Sequence, residues 1–175
     1  IVFCVLFVLF AFFAVFLDSA NVFAPAGKNG SFGMTRAYEP GAVWPPPFFM
    51  DKVLWGCEIA DPLLCGNPMW FKAMCFVSPF IYAPFYLVAV FAIIKGLEWI
   101  RIPILVVAGG LFYSLTVILV EQAYGEYASH NLPLIFAAYT SYWLLPVFLM
   151  IRFSTAHPFT RSKSEISQKA KAKLN

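Results

Sequence analysis

Charge is what this chain has least of. Of its 175 residues 12% are charged, against 61% hydrophobic and 19% aromatic. A soluble globular domain carries roughly twice that charged fraction, and a disordered chain combines low hydrophobicity with high net charge, so both classes are excluded. Histidine is almost absent. The two present, His130 and His157, flank the last apolar run roughly one membrane thickness apart at helical rise, too far to share a metal ion or haem. The four cysteines, Cys4, Cys57, Cys65 and Cys75, form no Cys-x-x-Cys pair and no Cys/His cluster, so neither a metal site nor a cofactor is expected. The net charge of +3 comes with no basic face outside the C-terminal tail, which excludes a nucleic-acid partner.

What is present is hydrophobic and concentrated. Ile1–Leu17 is apolar throughout and reaches roughly 25 Å as a helix, slightly short of the ~30 Å hydrocarbon core. It begins without Met, so a span lacking a few residues at its start is expected. A secretory signal is the competing reading, with Ala20 and Ala24 mimicking a cleavage site, but the run is too long and too aromatic for one. The second run, Ala73–Ile94, is interrupted only by Ser78, Pro79 and Pro84, and its prolines predict kinks. Ile102–Val120 and Leu132–Ile151 carry no charge. The expected fold is all-α, a four-transmembrane-helix bundle over residues 1–155 with spans at about 1–17, 73–94, 102–120 and 132–151, an outer loop 18–69 and a basic tail 156–175.

The scarce charges orient this bundle. The short connection between spans two and three carries Lys95 and Arg101. Arg152, Arg161, Lys163, Lys169, Lys171 and Lys173 follow span four, against a single Glu165. The connection between spans three and four has Glu121 and Glu126 and no basic residue. By the positive-inside rule the basic segments face the cytosol or its organellar equivalent, and the 18–69 loop faces the other side. That loop contains Gly27, Gly30, Gly33 and Gly41, then Trp44-Pro45-Pro46-Pro47-Phe48-Phe49, a stiff, extended stretch suited to ordering the bundle end, to the membrane interface or to a protein partner. Cys57 and Cys65 lie eight positions apart in it, and an oxidising compartment would allow them to bridge. Cys4 and Cys75 read as small apolar residues within spans. The final Lys171-Ala-Lys173-Leu-Asn175 fits the Lys-x-Lys-x-x pattern of endoplasmic-reticulum retrieval, and equally a basic tail beside anionic headgroups or a second contact point for protein partners.

Carboxylates near the membrane are the first suspects for function. Asp18 ends span one, Asp61 precedes span two and Glu121 ends span three, all at the outer end. Ser78, Tyr82 and Tyr86 follow a four-residue spacing on span two, and Tyr139, Tyr142 and Trp143 share a face of span four. The candidate ligand-binding set is therefore Asp18, Asp61, Ser78, Tyr82, Glu121, Tyr139 and Tyr142, an aromatic cavity with a carboxylate near its mouth, suited to an apolar amine or a sterol-like lipid. The bland alternatives are a Tyr packing stripe or interfacial belt, helix caps at Asp18 and Asp61, and a Gly110/Ser114 packing contact.

Three segments resemble one family. Asp61-Pro-Leu-Leu-Cys-Gly-Asn-Pro-Met-Trp70-Phe-Lys72 is similar to the stretch between helices one and two of the sigma-2 receptor family, Lys95-Gly-Leu-Glu-Trp99-Ile-Arg101-Ile-Pro103 to its cytosolic loop, and Tyr139-Thr-Ser-Tyr142-Trp-Leu-Leu-Pro146 to its fourth helix. They stand in the same order and cover roughly residues 10–155. This family belongs to the EXPERA group, with the emopamil-binding sterol isomerases, and the resemblance implies a four-helix bundle around a sterol- or amine-binding cavity in the endoplasmic reticulum. By position it implies that Asp18 faces ligand amines, Asp61 supports the architecture and Tyr142 forms a cavity wall. One departure matters: the family's second helix supplies a Glu beside the ligand-facing acid, and Ser78 stands there instead. The outer loop is also longer than the family's.

The expected function is a non-enzymatic membrane protein that binds a sterol, lipid or amine. The alternative is an accessory subunit of a larger assembly, such as a respiratory or ATP synthase complex of the mitochondrial inner membrane, motivated by the missing carboxylate and the aromatic-proline insert. Sterol isomerisation needs two groups that pass protons within the cavity. Ala73–Ile94 contains neither His nor Glu, so no catalytic residue is assigned.

Overall fold

The computed structural model describes residues 2–23, 44, 46–155 and 158–159. The four loop glycines, Ala24, Pro45, His157 and the tail from residue 160 lie outside them. Within the described residues the chain is helical: α1 (Val2–Phe13), a π turn (Ala14–Asp18), α2 (Ser19–Phe23), α3 (Pro47–Ile59), α4 (Pro62–Gly66), α5 (Met69–Val77), a second π turn (Ser78–Tyr82), α6 (Ala83–Lys95), a 3₁₀ turn (Glu98–Ile100), α7 (Arg101–Tyr124) and α8 (Leu132–Phe153). Four continuous helical stretches are long and apolar enough to cross a bilayer: Val2–Phe23, Met69–Lys95, Glu98–Tyr124 and Leu132–Phe153.

Each span is longer than its apolar run. Span one continues past Leu17 because Ser19 and Asn21 are buried rather than solvated, and the Ser19 hydroxyl donates to Val15 O at 2.5 Å inside the helix. The expected 18–69 loop is corrected likewise. It contains the end of span one, α3 and α4. Pro47 starts α3 at a position where its missing N–H costs nothing, so Phe48 and Phe49 are helical, and among the described residues of the proline run Pro46 alone retains the extended conformation expected of it. The second π turn contains Pro79 and leads into Pro84, whose rings exclude the regular i→i−4 ladder.

Packing joins α1 to α6 and α7 to α8. The inner half of the bundle is closed by Phe7, Ile100, Ile104, Leu145, Leu149 and Phe153, with Ala11, Ala89, Ala92 and Ala108 letting backbones approach. On that side Gly96 ends α6 at φ +65°, the left-handed region glycine adopts without penalty. Arg101 donates from Nε to Phe153 O and from Nη2 to Ser154 O, both at 2.9 Å. A topology-setting cation thus also satisfies the carbonyl end of α8.

On the outer side α3 and α4 lie across the bundle end. Cys57 and Cys65 form a disulfide with Cα atoms 5.2 Å apart, joining the two helices. His130 Nε2–H donates to Ile59 O at 2.6 Å and Ser129 Oγ to Ala60 O at 2.5 Å, lacing the α7–α8 connection onto the same cap. Trp44, Phe48, Trp55 and Trp70 remain exposed around it, the belt expected at headgroup level. Replacing both bridging cysteines by Ser is expected to cost about 2–3 kcal/mol, the loop-closure value for so short a ring. A thermal unfolding scan in detergent checks this, with reductant lowering the wild-type midpoint to that of the double variant.

Candidate functional site

The two π turns meet in the half of the bundle nearer α3 and α4. Widening a helix by one residue per turn re-aims the side chains at its edges, and such turns concentrate at functional sites. The first π turn ends at Asp18 and the second begins at Ser78, whose hydroxyl donates to the Asp18 carboxylate. Between them and α7–α8 lies a cavity of about 410 Å³, within the usual ligand-pocket range of roughly 300–1,000 Å³. Its walls are mainly apolar and aromatic: Phe10, Phe13, Tyr82, Tyr86, Leu111 and Tyr142 contribute. Tyr142 stacks on Phe10 at 4.6 Å and Tyr86 on Phe7 at 5.3 Å, which fixes these rings against α1. Gly110 lets α7 approach this wall, since a Cβ there would stand 3.0 Å from the Tyr82 hydroxyl.

Five of the seven candidate residues line this cavity: Asp18, Ser78, Tyr82, Tyr139 and Tyr142. Two do not. Asp61 caps α4, accepting from Leu64 N at 3.2 Å, and turns its other oxygen to the Tyr139 hydroxyl at 2.6 Å. Gln122 Nε2 donates to it as well. Asp61 is only 4% exposed, and burial pushes its carboxyl above the ordinary 3.8 against the opposing pull of these donors. Glu121 folds back over the end of α7, accepting from Tyr127 N at 3.0 Å and crowding Gly125. Both acids therefore hold the outer cap together. Trp143 also leaves the expected tyrosine face and donates to Thr116 Oγ1 of α7 at 3.1 Å.

The cavity also contains polar side chains absent from the sequence reading. Asn21 lies one helical turn beyond Asp18 on the same wall, and Lys52 of α3 stands at the mouth, its ammonium 5.4 Å from the Phe48 ring centroid. The i, i+3 spacing of Asp18 and Asn21 was the available signal, hidden by ending the span at Leu17. Cys75 also lines the space. Among the described residues no group of three His, Cys, Asp or Glu side chains is placed to hold a metal ion.

The family EXPERA (EXPanded EBP superfamily) matches residues 49–153. This chain belongs to the EXPERA superfamily. It is similar to proteins named Sigma intracellular receptor 2: 28% identical over 125 residues to that of Xenopus tropicalis, covering 63% of this chain and 73% of the frog protein. To those of Macaca fascicularis and Homo sapiens it is 25% identical over 147 residues, 77% of this chain and 83% of theirs. No solved structure matches. The matched EXPERA region starts in α3 and ends with α8, so it includes Asp61, Ser78, Tyr139 and Tyr142, while Asp18 and Asn21 precede it.

Proposed function

We propose that this integral membrane protein is a non-enzymatic receptor or carrier whose cavity takes an apolar amine or a sterol-like lipid. The observation that carries the reading is the cavity of about 410 Å³ with aromatic walls and Asp18 as the single acid among its lining residues. Such a space favours a mostly apolar body with one polar or cationic head. The head would sit at Asp18 and Ser78, and the body would lie against Phe10, Tyr82 and Tyr142. A reaction that moves a proton from one carbon to another needs an acid and a base at separate points; here one carboxylate faces the space and no imidazole does, which supports binding without turnover. The relatives are named as receptors, which points the same way.

The disulfide lies on the side opposite Lys95, Arg101 and Arg152. Bridged cysteines persist in oxidising compartments, and cationic loops stay cytosolic, so the pair of signals supports an endoplasmic-reticulum-type membrane with α3 and α4 facing the lumen. Photo-crosslinking in native membranes tests the ligand assignment. A sterol-shaped or aryl-alkylamine probe is expected to label α5–α6 and α8, with unlabelled ligand competing. Labelling no stronger than that of an unrelated four-helix membrane protein would overturn the reading.

A further inference from the structure

Asp18 and Asn21 both line the cavity, three residues apart on span one, a spacing that presents one face of a helix. Asn21 is the nearer to the cap, about 4.5 Å further along the axis at helical rise, and the adjacent Ala20 packs with Met50, Val53 and Leu54 of α3. Asn21 is 2% exposed. Its carbonyl oxygen Oδ1 is sealed against the protein and shut off from water, so the amide nitrogen Nδ2 is the end of the side chain open to the cavity. Asn21 O accepts from Asn67 Nδ2 at 2.9 Å, which ties α2 to the end of α4 and fixes the backbone that carries this amide. The wall is thereby polarised. Asp18 offers lone pairs, to which the Ser78 hydroxyl donates; one turn on, Asn21 offers N–H groups. An N–H on an apolar wall is costly unless something accepts from it, and leucine, close in volume, would line the same wall without that cost.

We infer that Asn21 donates to the ligand, and that the cavity selects amines with an acceptor oxygen placed to reach the Asn21 amide while the ammonium sits at Asp18. This rests on the reading of the cavity as a ligand site and specifies its ligand as an amino ether, amino ester or amino alcohol. Cβ atoms three positions apart on a helix are separated by about 5–6 Å, a distance that three carbons between nitrogen and oxygen span. An amine with an all-carbon body satisfies Asp18 and leaves the Asn21 N–H against hydrocarbon, with the ligand itself excluding any water that could accept from it. Two neighbouring donors do not replace Asn21. The Tyr139 hydroxyl is committed to Asp61 at 2.6 Å, and Lys52 stands at the mouth with its ammonium 5.4 Å from the Phe48 ring centroid.

The test compares an aryl-alkoxypropylamine, whose ether oxygen lies three carbons from nitrogen, with the isostere carrying CH2 in place of that oxygen. Both are bound to purified wild-type protein, Asn21→Leu and Lys52→Met. Comparing the ether-to-carbon affinity ratio between proteins cancels differences in hydration and basicity between the two amines. The ratio is expected to be about fivefold larger in wild type than in Asn21→Leu, the effect of one hydrogen bond. The ether should lose affinity in the variant, and the carbon isostere should hold or gain it. Should leucine not be accommodated, Asn21→Ala removes the same donor with less volume, and the same ratio is read. Equal ratios in wild type and both Asn21 variants would overturn the inference while leaving the cavity reading intact. So would a uniform loss of both amines with a lowered unfolding midpoint, the signature of a purely architectural residue. A ratio that falls in Lys52→Met and not in Asn21→Leu would move the donor to the mouth and overturn it as well. If neither amine binds wild type, the reading of the cavity as an amine site and this inference fall together.

Discussion

Asp18→Asn is expected to weaken the binding of a cationic amphiphile by about a hundredfold or more. The substitution keeps the shape of the side chain and an acceptor for Ser78, and removes only the charge. Within a wall of aromatic and aliphatic side chains the carboxylate is the one acidic group lining the cavity, and the effective dielectric there is far below that of water, so an ammonium entering it from water must find its countercharge at this point. Truncating one member of a desolvated charge pair costs about 2–5 kcal/mol, and each 1.4 kcal/mol is a factor of about ten. Lys52 does not offset this, because its ammonium lies at the exposed mouth against the Phe48 ring. A neutral sterol hydroxyl makes a different demand, since the asparagine carbonyl still accepts from it, and its affinity should change by about threefold or less, within the worth of an ordinary hydrogen bond. Competition binding with an amine and a sterol probe on the same two proteins separates the ligand classes. Equal affinity of the amine for both proteins would remove Asp18 from the site.

The contrast between the acids shows what the amino-acid pattern revealed and what it concealed. The four spans were legible because each apolar run exceeds what a soluble core needs, and the Ser78–Tyr82–Tyr86 and Tyr139–Tyr142 spacings put on two helix faces five side chains that line the cavity. Their boundaries were not legible. Polar Ser19 and Asn21 read as the end of a helix, yet they are buried because the outer cap covers them. The roles of the acids escaped for the same reason. Three carboxylates at the same membrane depth look alike along the chain; which one faces the cavity depends on partners far away in sequence. Asp61 meets Gln122 and Tyr139 across separations of 61 and 78 residues, while Glu121 is captured locally by the turn that follows it. Gln122 is fully buried, and it gave no signal beyond being a polar residue at the end of an apolar run.

Removal of the Asp61 side chain is expected to be the most destabilising single change in the outer cap, about 4 kcal/mol for Asp61→Ala. Two of its partners, the Tyr139 hydroxyl and the Gln122 amide, lose their acceptor, at about 1–3 kcal/mol for each buried donor. The lost cap of α4 adds about 1 kcal/mol. That total is a large share of the ~5–15 kcal/mol that holds a typical domain together. Asparagine is no rescue. Every one of its partners donates to Asp61, and an amide presents two N–H groups where acceptor lone pairs are needed, so Asp61→Asn should recover less than half of the loss. Tyr139→Phe removes one donor with its partner still bonded twice, and about 1 kcal/mol is expected. Thermal unfolding in detergent, or resistance to proteolysis in membranes, reads the series. The pH dependence separates charge from shape. Burial holds the Asp61 proton to a higher pH in the folded chain than the ordinary 3.8 of the unfolded one, so between these two values the folded state binds more protons. Stability is then greatest below 3.8 and declines as pH rises toward the folded value. Asp61→Asn, which cannot titrate, should lack that decline; a variant that retains it in full would assign the pH dependence to another group.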